Sequence, residues 1–400
     1  MKTILLHAAY TDQCSYFDDW VDAFKDHNVF NAECFNVCEK QNDPRYLKRG
    51  IEGAEIIILH HSMNGDTLKY LTPFISLLKD RKGKLISFVG NEVNLPTIGM
   101  APKIKVLKDL DTDIIATQLL QEAGEWLYVD CLKSKVISIP HALNSKAFYS
   151  FNGYEKRKID IGSRSARYGV YIGDNERNNI FQFFEDNARK YGLSVDLGLQ
   201  DRQQRFNRQE WCQFLNSCKA TISNEAASFY LERDDQLVKN IYNYLKSSSN
   251  KFVLSNETFL RKIYRCIIPN FVRKKIINLL KDKIIEIDRV DHDCNFLEIY
   301  EKFFSNIPKC PVYAKAISSR HFDAIGAKTL HVMYPGRYND ILIPQEHYFE
   351  LKTDHSNIDE LLDTIRNSNA VQKIVDRAYD YVIENHTHKK RLDHLAALVT

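Results

Sequence analysis

The chain has 400 residues, a formal net charge of +3 and an apolar content of 44%. That length favours two domains over one. So small a charge argues against a protein whose main partner is nucleic acid, while leaving room for a local basic patch. No run approaches the roughly 20 apolar residues of a membrane span. The apolar run in MKTILLHAAY is too short for a signal-peptide core and reads as a first strand. The nine cysteines are an odd, scattered set. The close pairs Cys34/Cys38 and Cys212/Cys218 make no paired CxxC framework, which implies reduced thiols and a cytoplasmic setting.

In chain order, KTILLHA, AECFNV, AEIIILHH, KLISFVGNE, TDIIATQ and KVISIPHA are short β-rich runs. Helical patterns such as YFDDWVDAFKDH and LKYLTPFISLLKDRKG separate them. Continuous apolar strands between amphipathic helices predict a parallel sheet covered on both faces. Ligands of such sheets bind beyond the carboxyl ends of the strands, where His7, His60, His61, Asn91, Glu92, Gln118 and His141 fall.

A polar stretch, SKAFYSFNGYEKRKIDIGSRSA at 146–167, reads as a linker. A second alternation follows, with strands expected at RYGVYIGD, LSVDLGL, CKATISN and TLHVMY. Helices are expected at RNNIFQFFEDNARKYG, NRQEWCQFLNS, DELLDTIRN and VQKIVDRAYDYVIENH. The expected organisation is an N-terminal Rossmann-like domain over 1–150 and a second over 151–385. A helical elaboration spans about 232–312 of the second domain, and a C-terminal helix over 386–400 can pack back on the first. The fold class is α/β, two Rossmann-like domains facing a cleft. No GxGxxG follows the first strand, which argues against a dehydrogenase.

The segment SSRHFDAIGAKTLHVMYP, 318–335, reads as a loop, a short helix and a strand. A helix start leaves backbone N–H groups unpaired and carries partial positive charge, so it suits phosphate. Ser318 and Ser319 add hydroxyls and Arg320 a fork of donors. Asp323, four residues after Ser319, shares its side of the helix and could reach sugar hydroxyls. The same residues also suit an ordinary helix cap with a solvated arginine.

SSRHFDAIGAKTLHV, YNDILIPQEHYFEL, NIDELLDTIRN and AYDYVIENHTHKKRL, in that order, resemble the C-terminal signature of group-1 glycosyltransferases of the GT-B fold. The likeness is to the branch with CgeB-like proteins and covers roughly 311–392. IPHALNSKAF at 139–148 and YIGD at 171–174 resemble the end of the first domain and the opening of the second. The resemblance implies GT-B architecture and a nucleotide-sugar donor in the second domain, with the acceptor in the first. It places Ser318, Ser319 and Arg320 at the donor phosphate, Asp323 at the ribose, and Gly173 where backbone approaches phosphate. The family's first glutamate falls at Lys315, a departure that suggests either an anionic donor or a surface lysine.

SNEAASFYLERDD, 223–235, resembles an acidic segment of the same branch. Glu225, Glu232 and Asp234 are therefore candidates for nucleophile, charge stabiliser or base. Glu232, Asp234 and Asp235 equally suit the start of a helix. His141 is a candidate acid/base at a strand end. Arg164 and Arg167 of GSRSARY, at the domain junction, are candidates to clamp a substrate carboxylate or phosphate, and equally suit a solvated linker. Neither DLDTD nor DHDC has convincing ligand spacing, and the resemblance implies no metal, so no cofactor beyond the donor is expected. The basic amphipathic stretch at 261–283 could lie on anionic lipid at an inner membrane face, or be a solvated helical surface.

The expected activity is sugar transfer to a bacterial surface glycan of the O-antigen, lipopolysaccharide or capsule type. Retaining transfer from CMP-Kdo is its most specific form. The alternatives are a sugar-nucleotide epimerase of the same fold and a non-catalytic glycan-binding module.

Overall fold

The structure, a computed structural model, describes residues 1–39, 44–199, 206–248, 252–254, 284–286 and 294–399. The first sheet holds β1 (Thr3–His7), β2 (Glu33–Asn36), β3 (Ile56–Leu59), β4 (Lys84–Phe88), β5 (Ile114–Thr117) and β6 (Lys135–Ser138) in the order β2-β1-β3-β4-β5-β6. Every neighbouring pair in it is parallel. Alternation along the strands explains why both faces are apolar. Ile4, Leu6, Ile57, Leu59 and Leu85 enter one core, and Leu5, Ile56, Ile58, Ile86 and Phe88 the other. Each fully buried aliphatic side chain stabilises the sheet by about 1.5–3 kcal/mol.

Helices cross between these strands: α1 (Ser15–Asp26), α2 (Pro44–Glu52), α3 (Ile75–Lys79), α4 (Met100–Asp109) and α5 (Gln121–Leu127). The pattern LKYLTPFISLLKDRKG yields only a 3-10 turn at Thr72–Phe74 and the short α3, because Pro73 cannot donate within a longer helix.

The second sheet holds β7 (Ile159–Ser165), β8 (Val195–Leu199) and β9 (Cys218–Ser223). A small antiparallel pair follows β9, formed by β10 (Ala226–Ala227) and a later β13 (Lys315–Ala316). Between them lies a parallel pair, β11 (Phe252–Leu254) and β12 (Ile284–Glu286). The strands β14 (Leu330–Met333) and β15 (Phe349–Glu350) complete the second sheet, in the order β15-β14-β9-β7-β8. All of its neighbours are parallel.

Its helices are α6 (Glu176–Tyr191), α7 (Arg208–Ser217), α8 (Gln236–Ser248), α9 (Phe296–Phe303), α10 (Ser319–Gly326), α11 (Ile358–Arg366) and α12 (Ser368–Asn385). A capping box of Asn207 and Glu210 starts α7. The basic stretch 261–283 lies outside the described residues. Both sheets are doubly wound, with the same reversal of strand order beside their first strand.

The expected strand RYGVYIGD is not one. Val170–Ile172 form a buried 3-10 turn, and the first strand of the second sheet is IDIGSRS, inside the expected linker. Asp160 and Arg164 hide it in the sequence, although both are committed to partners: Asp160 to Lys219 at 2.8 Å and Arg164 to Asp196 at 2.7 Å.

At Thr387 the chain pairs with Leu143, and then α13 (His388–Val399) runs over the first domain. Leu392, Leu395, Ala396 and Val399 join the core that contains Leu5 and Trp20. Polar side chains bind the domains elsewhere. Arg208 reaches Asp19 and Asp22 at 3.0 and 2.8 Å, and Arg337 reaches Glu122 at 2.8 Å. The buried Asp235 supplies a cap that α4 lacks. Its carboxylate accepts from Met100 N at 2.8 Å, Ala101 N at 2.9 Å and Asn94 Nδ2 at 2.6 Å. A side chain at Gly99 would collide with that carboxylate, its Cβ falling 2.1 Å from it. Asp235→Ala removes a helix cap and one of the bonds of Asn94, which keeps its two bonds to the Glu232 backbone, so a loss of about 1–2 kcal/mol is expected in urea unfolding. An unchanged midpoint would show that this contact does not hold the domains.

Candidate active site

The reversal of strand order in the second sheet lies between β7 and β9, so its crevice opens where Ser165 and Ser223 end those strands. The hydroxyls of both serines are buried without a hydrogen-bond partner, as is Nδ2 of the next residue, Asn224. Two histidines add to the set. His321 on α10 and His331 on β14 stack with ring centroids 5.2 Å apart, and His321 Nε2 and His331 Nδ1 are also unpartnered. Burying such groups unpaired costs on the order of 1–3 kcal/mol each. A cluster of them is a signature of a place meant for a polar ligand.

Cations border the cluster. Arg177 lies 3.8 Å over the Tyr168 ring and donates to its hydroxyl at 2.9 Å. Arg320 opens α10 beside Tyr168, His321 and His331, acting on all three electrostatically. Burial, reinforced by His331 and Arg320, keeps His321 neutral. His331 falls to about 3 through burial and then Arg320. Both are therefore neutral donors or acceptors at ordinary pH. The Tyr168 hydroxyl donates to the Glu225 carbonyl, which fixes the loop under Arg177.

The expected donor residues divide. Ser318 caps α10 through His321, whose Nδ1 lies 3.0 Å from both the Ser318 amide and hydroxyl. Ser319 is the first residue of α10, and Arg320 follows at the crevice. Asp323 is fully buried, and one of its oxygens accepts from Trp211 Nε1 at 3.0 Å and Ser15 Oγ at 3.2 Å. Ser15 belongs to the first domain, so Asp323 joins the two domains rather than lining an open mouth. Burial, with Asp19 adding to it, raises its carboxyl far above the usual range.

Lys315 is not a surface lysine. It is 1% exposed and lies 2.8 Å from Asp174 and 2.5 Å from Glu176. Burial opposes its charge, yet the two carboxylates hold it above its ordinary range. Gly173 has φ +62°, and a Cβ there would meet Phe304 and Tyr230 at 2.5 and 2.7 Å. Packing and a left-handed turn therefore require this glycine, which is not at a strand end. Arg164 is spent on Asp196, with its guanidinium 4.5 Å over Phe214.

The expected catalytic residues also divide. Glu225 follows β9 directly and is buried, accepting from Tyr338 N at 2.7 Å and from the Tyr313 hydroxyl. Burial pushes its carboxyl up. Glu232 accepts from Leu237 N at 2.8 Å and Asp234 from Gln236 N at 3.2 Å, so both serve the start of α8. His141 accepts from Trp20 Nε1 at 3.2 Å and stacks on His61 at 5.3 Å, deep in the first domain. Among the described residues, no group of three His, Cys, Asp or Glu side chains is placed to hold a metal. Sequence reading missed Ser165, Tyr168, Arg177, Ser223, Asn224, His321 and His331. Placing the first strand at 159–165 would have exposed Ser165 at its end and Tyr168 just beyond it.

No family model matches the sequence, and no curated protein does. Solved structures do. An alpha-glucosyltransferase in complex with UDP and a 13-mer DNA aligns at TM-score 0.55 and 8% identity, over 99% of this chain and 98% of that one. The Anabaena protein Alr3699/HepE, in complex with UDP-glucose, aligns at TM-score 0.49 and 8% identity over 99% and 98%. Sucrose-phosphate synthase from Thermosynechococcus elongatus aligns at 0.47 and 11% over 100% and 98%. The first of these, together with the two doubly wound sheets, establishes the fold as GT-B.

Proposed function

We propose that the chain is a glycosyltransferase that binds a nucleotide-sugar at the crevice between β7 and β9. The carrying observation is a set of buried, unpartnered polar atoms around Arg177. Ser165 and Ser223 end the neighbouring strands β7 and β9, and Asn224 beside them accepts from Arg177 at 3.4 Å. The stacked His321, at the start of α10, and His331 lie within reach of the Arg320 charge, with Arg177 also acting on His321. A diphosphate satisfies such a set. Its oxygens accept from hydroxyls, amide, imidazole and guanidinium, and from the unpaired N–H groups of α10. In the transfer step the departing nucleoside phosphate gains charge, and Arg320 and Arg177 stabilise it.

For the acceptor we keep a growing surface glycan, supported by the C-terminal resemblance. The acidic-sugar form of this reading relied on Lys315 as a spare cation. Its pairing with Asp174 and Glu176 withdraws that support. Among the described residues, no helix is long and apolar enough to cross a membrane.

Calorimetric titration with UDP, CMP, GDP and ADP tests the site. One nucleotide is expected to bind, and Arg320→Ala and Arg177→Met are each expected to weaken it about 10- to 100-fold, the equivalent of one or two charge-assisted hydrogen bonds. Equal affinity in both variants and the parent discards the site. Product analysis with the donor alone separates transfer from epimerisation, which alters the donor without an acceptor.

A further inference from the structure

A second cavity, of about 550 Å³, lies at the opposite end of the second sheet. It is lined by Tyr149, Phe151, Asn152, Tyr154, Gln372 and Tyr379, among others. Arg157 and Lys328 on its wall precede β7 and β14, so the cavity sits at the amino ends of the strands, whereas the donor crevice is at their carboxyl ends. The six residues of β9 separate the two by roughly 17 Å at the usual rise.

The loop that builds this cavity is held with unusual force. Asn216, fully buried, accepts from Phe151 N at 2.9 Å and Asn152 N at 3.3 Å and donates to Tyr149 O at 3.0 Å. Arg157, 4% exposed, donates to Asn152 O at 3.3 Å, Cys218 O at 3.0 Å, Thr329 Oγ1 at 2.9 Å and Ala327 O at 2.8 Å. Two buried polar side chains thus lock the backbone. The same loop leaves Tyr149 51% and Phe151 50% exposed, their ring centroids 5.9 Å apart. Two exposed aromatic rings held side by side on a fixed backbone, at the edge of a cavity, form a surface on which a ligand can stack.

The charge at the mouth selects the ligand. Lys328 lies over the Tyr379 ring at 4.8 Å and is neutralised by Asp376 at 2.6 Å. Gln372 donates to the same carboxylate oxygen at 2.9 Å. Arg157, the other cation on the wall, has no carboxylate partner, but all three of its guanidinium nitrogens already donate to carbonyl or hydroxyl oxygens. Neither cation therefore offers the free donors that a phosphate chain or an anionic lipid surface would require. Aromatic faces beside a neutral line of amide, carboxylate and ammonium suit rings with apolar C–H faces and hydroxyl rims. We infer that this cavity is a secondary site for a neutral oligosaccharide, which would hold a glycan chain on the enzyme away from the reacting centre. Its use in transfer rests on the reading above, but its binding does not.

The test is a glycan array of neutral and acidic oligosaccharides probed with the labelled full chain. The Tyr149→Ala/Phe151→Ala double variant and Arg320→Ala are compared with the parent. Neutral glycans are expected to bind the parent and Arg320→Ala alike, and the double variant is expected to lose at least tenfold in affinity with its melting point and nucleotide binding unchanged. The inference is overturned if no neutral glycan binds, or if binding survives the double substitution. It is equally overturned if only a dT12 oligonucleotide or phosphatidylglycerol vesicles respond to the two aromatics. Loss of nucleotide binding in the parent with glycan binding intact would remove the donor site and leave this one standing.

Discussion

Lys315→Met is expected to destabilise the protein by about 3 kcal/mol, the lower end of what breaking a buried ion pair costs. The substitution keeps the side-chain volume and strands two carboxylates. Asp174 is 5% exposed as a side chain and has nowhere to be hydrated, while Glu176, at 31%, can turn partly to solvent. That asymmetry sets the lower figure. Lys315→Glu, which restores the acid that the resemblance leads one to expect, should be worse, because it gathers three carboxylates in one buried spot. The triple variant Lys315→Met/Asp174→Asn/Glu176→Gln should recover most of the loss, since neutral groups of similar shape leave no uncompensated charge. Urea unfolding of the four proteins checks this. If Lys315→Met lies within about 1 kcal/mol of the parent, the cluster is not the stabilising contact described here.

Lys315 also shows where the sequence was readable and where it was not. The parallel sheets were legible because ILL, IIIL, LISF and ATIS are apolar runs of strand length, and fully buried strands need such runs. The start of α10 was legible from Ser-Ser-Arg before an apolar helix face. What failed depended on tertiary partners. The strand β7 alternates apolar with charged residues, and its arginine is apolar in effect only because Phe214 stacks on it. Misplacing that strand put Gly173 at the crevice and left out Ser165. Glu232 and Asp234 looked alike as acids near a strand, but α8 begins two residues after Asp234 and takes both. Asp323 could not be separated from a ribose-binding acid until Ser15, 308 positions away in sequence, was seen beside it. Sequence spacing sets which residues share an element; it does not set which element faces them.

The largest pH effect should come from the first domain, where five histidines gather at the carboxyl end of the sheet. His60 and His61 lie 5.1 Å apart by ring centroid, His61 and His141 5.3 Å, and His7 and His60 6.5 Å. The fifth, His388, arrives on α13 and meets Trp20 at 4.7 Å. Burial lowers every one of them: His7 to about 4, His141 and His388 to about 3, and His60 and His61 well below their ordinary value. The lowest of these are reinforced by their neighbours, and Lys25 and Arg391 add to the effect at the edges.

An unfolded histidine takes a proton near pH 6.5, whereas the folded one refuses it until far lower. The unfolded state therefore binds more protons across that window, and stability falls as pH drops from about 6.5 toward 4. Each histidine contributes about 2 kcal/mol of loss between pH 7 and pH 5. Asp19, raised by burial to about 6, and the raised carboxyls of Asp323 and Glu92 work in the opposite sense, because folding holds their protons. Among the described residues ten histidines are lowered in all, and Asp18, Glu225 and Glu232 join the raised carboxyls to make six, so the histidines prevail over this range. The protein should be several kcal/mol less stable at pH 5 than at pH 7, a large part of the 5–15 kcal/mol typical of a native fold. His388→Phe keeps the ring against Trp20 and removes one titration. It should reduce proton uptake on unfolding at pH 5 by about one and flatten the pH dependence by about 1.4 kcal/mol per unit. A variant whose pH profile overlays that of the parent would mean that His388 is charged or solvated in the native state, and α13 would not then be closing an apolar histidine nest.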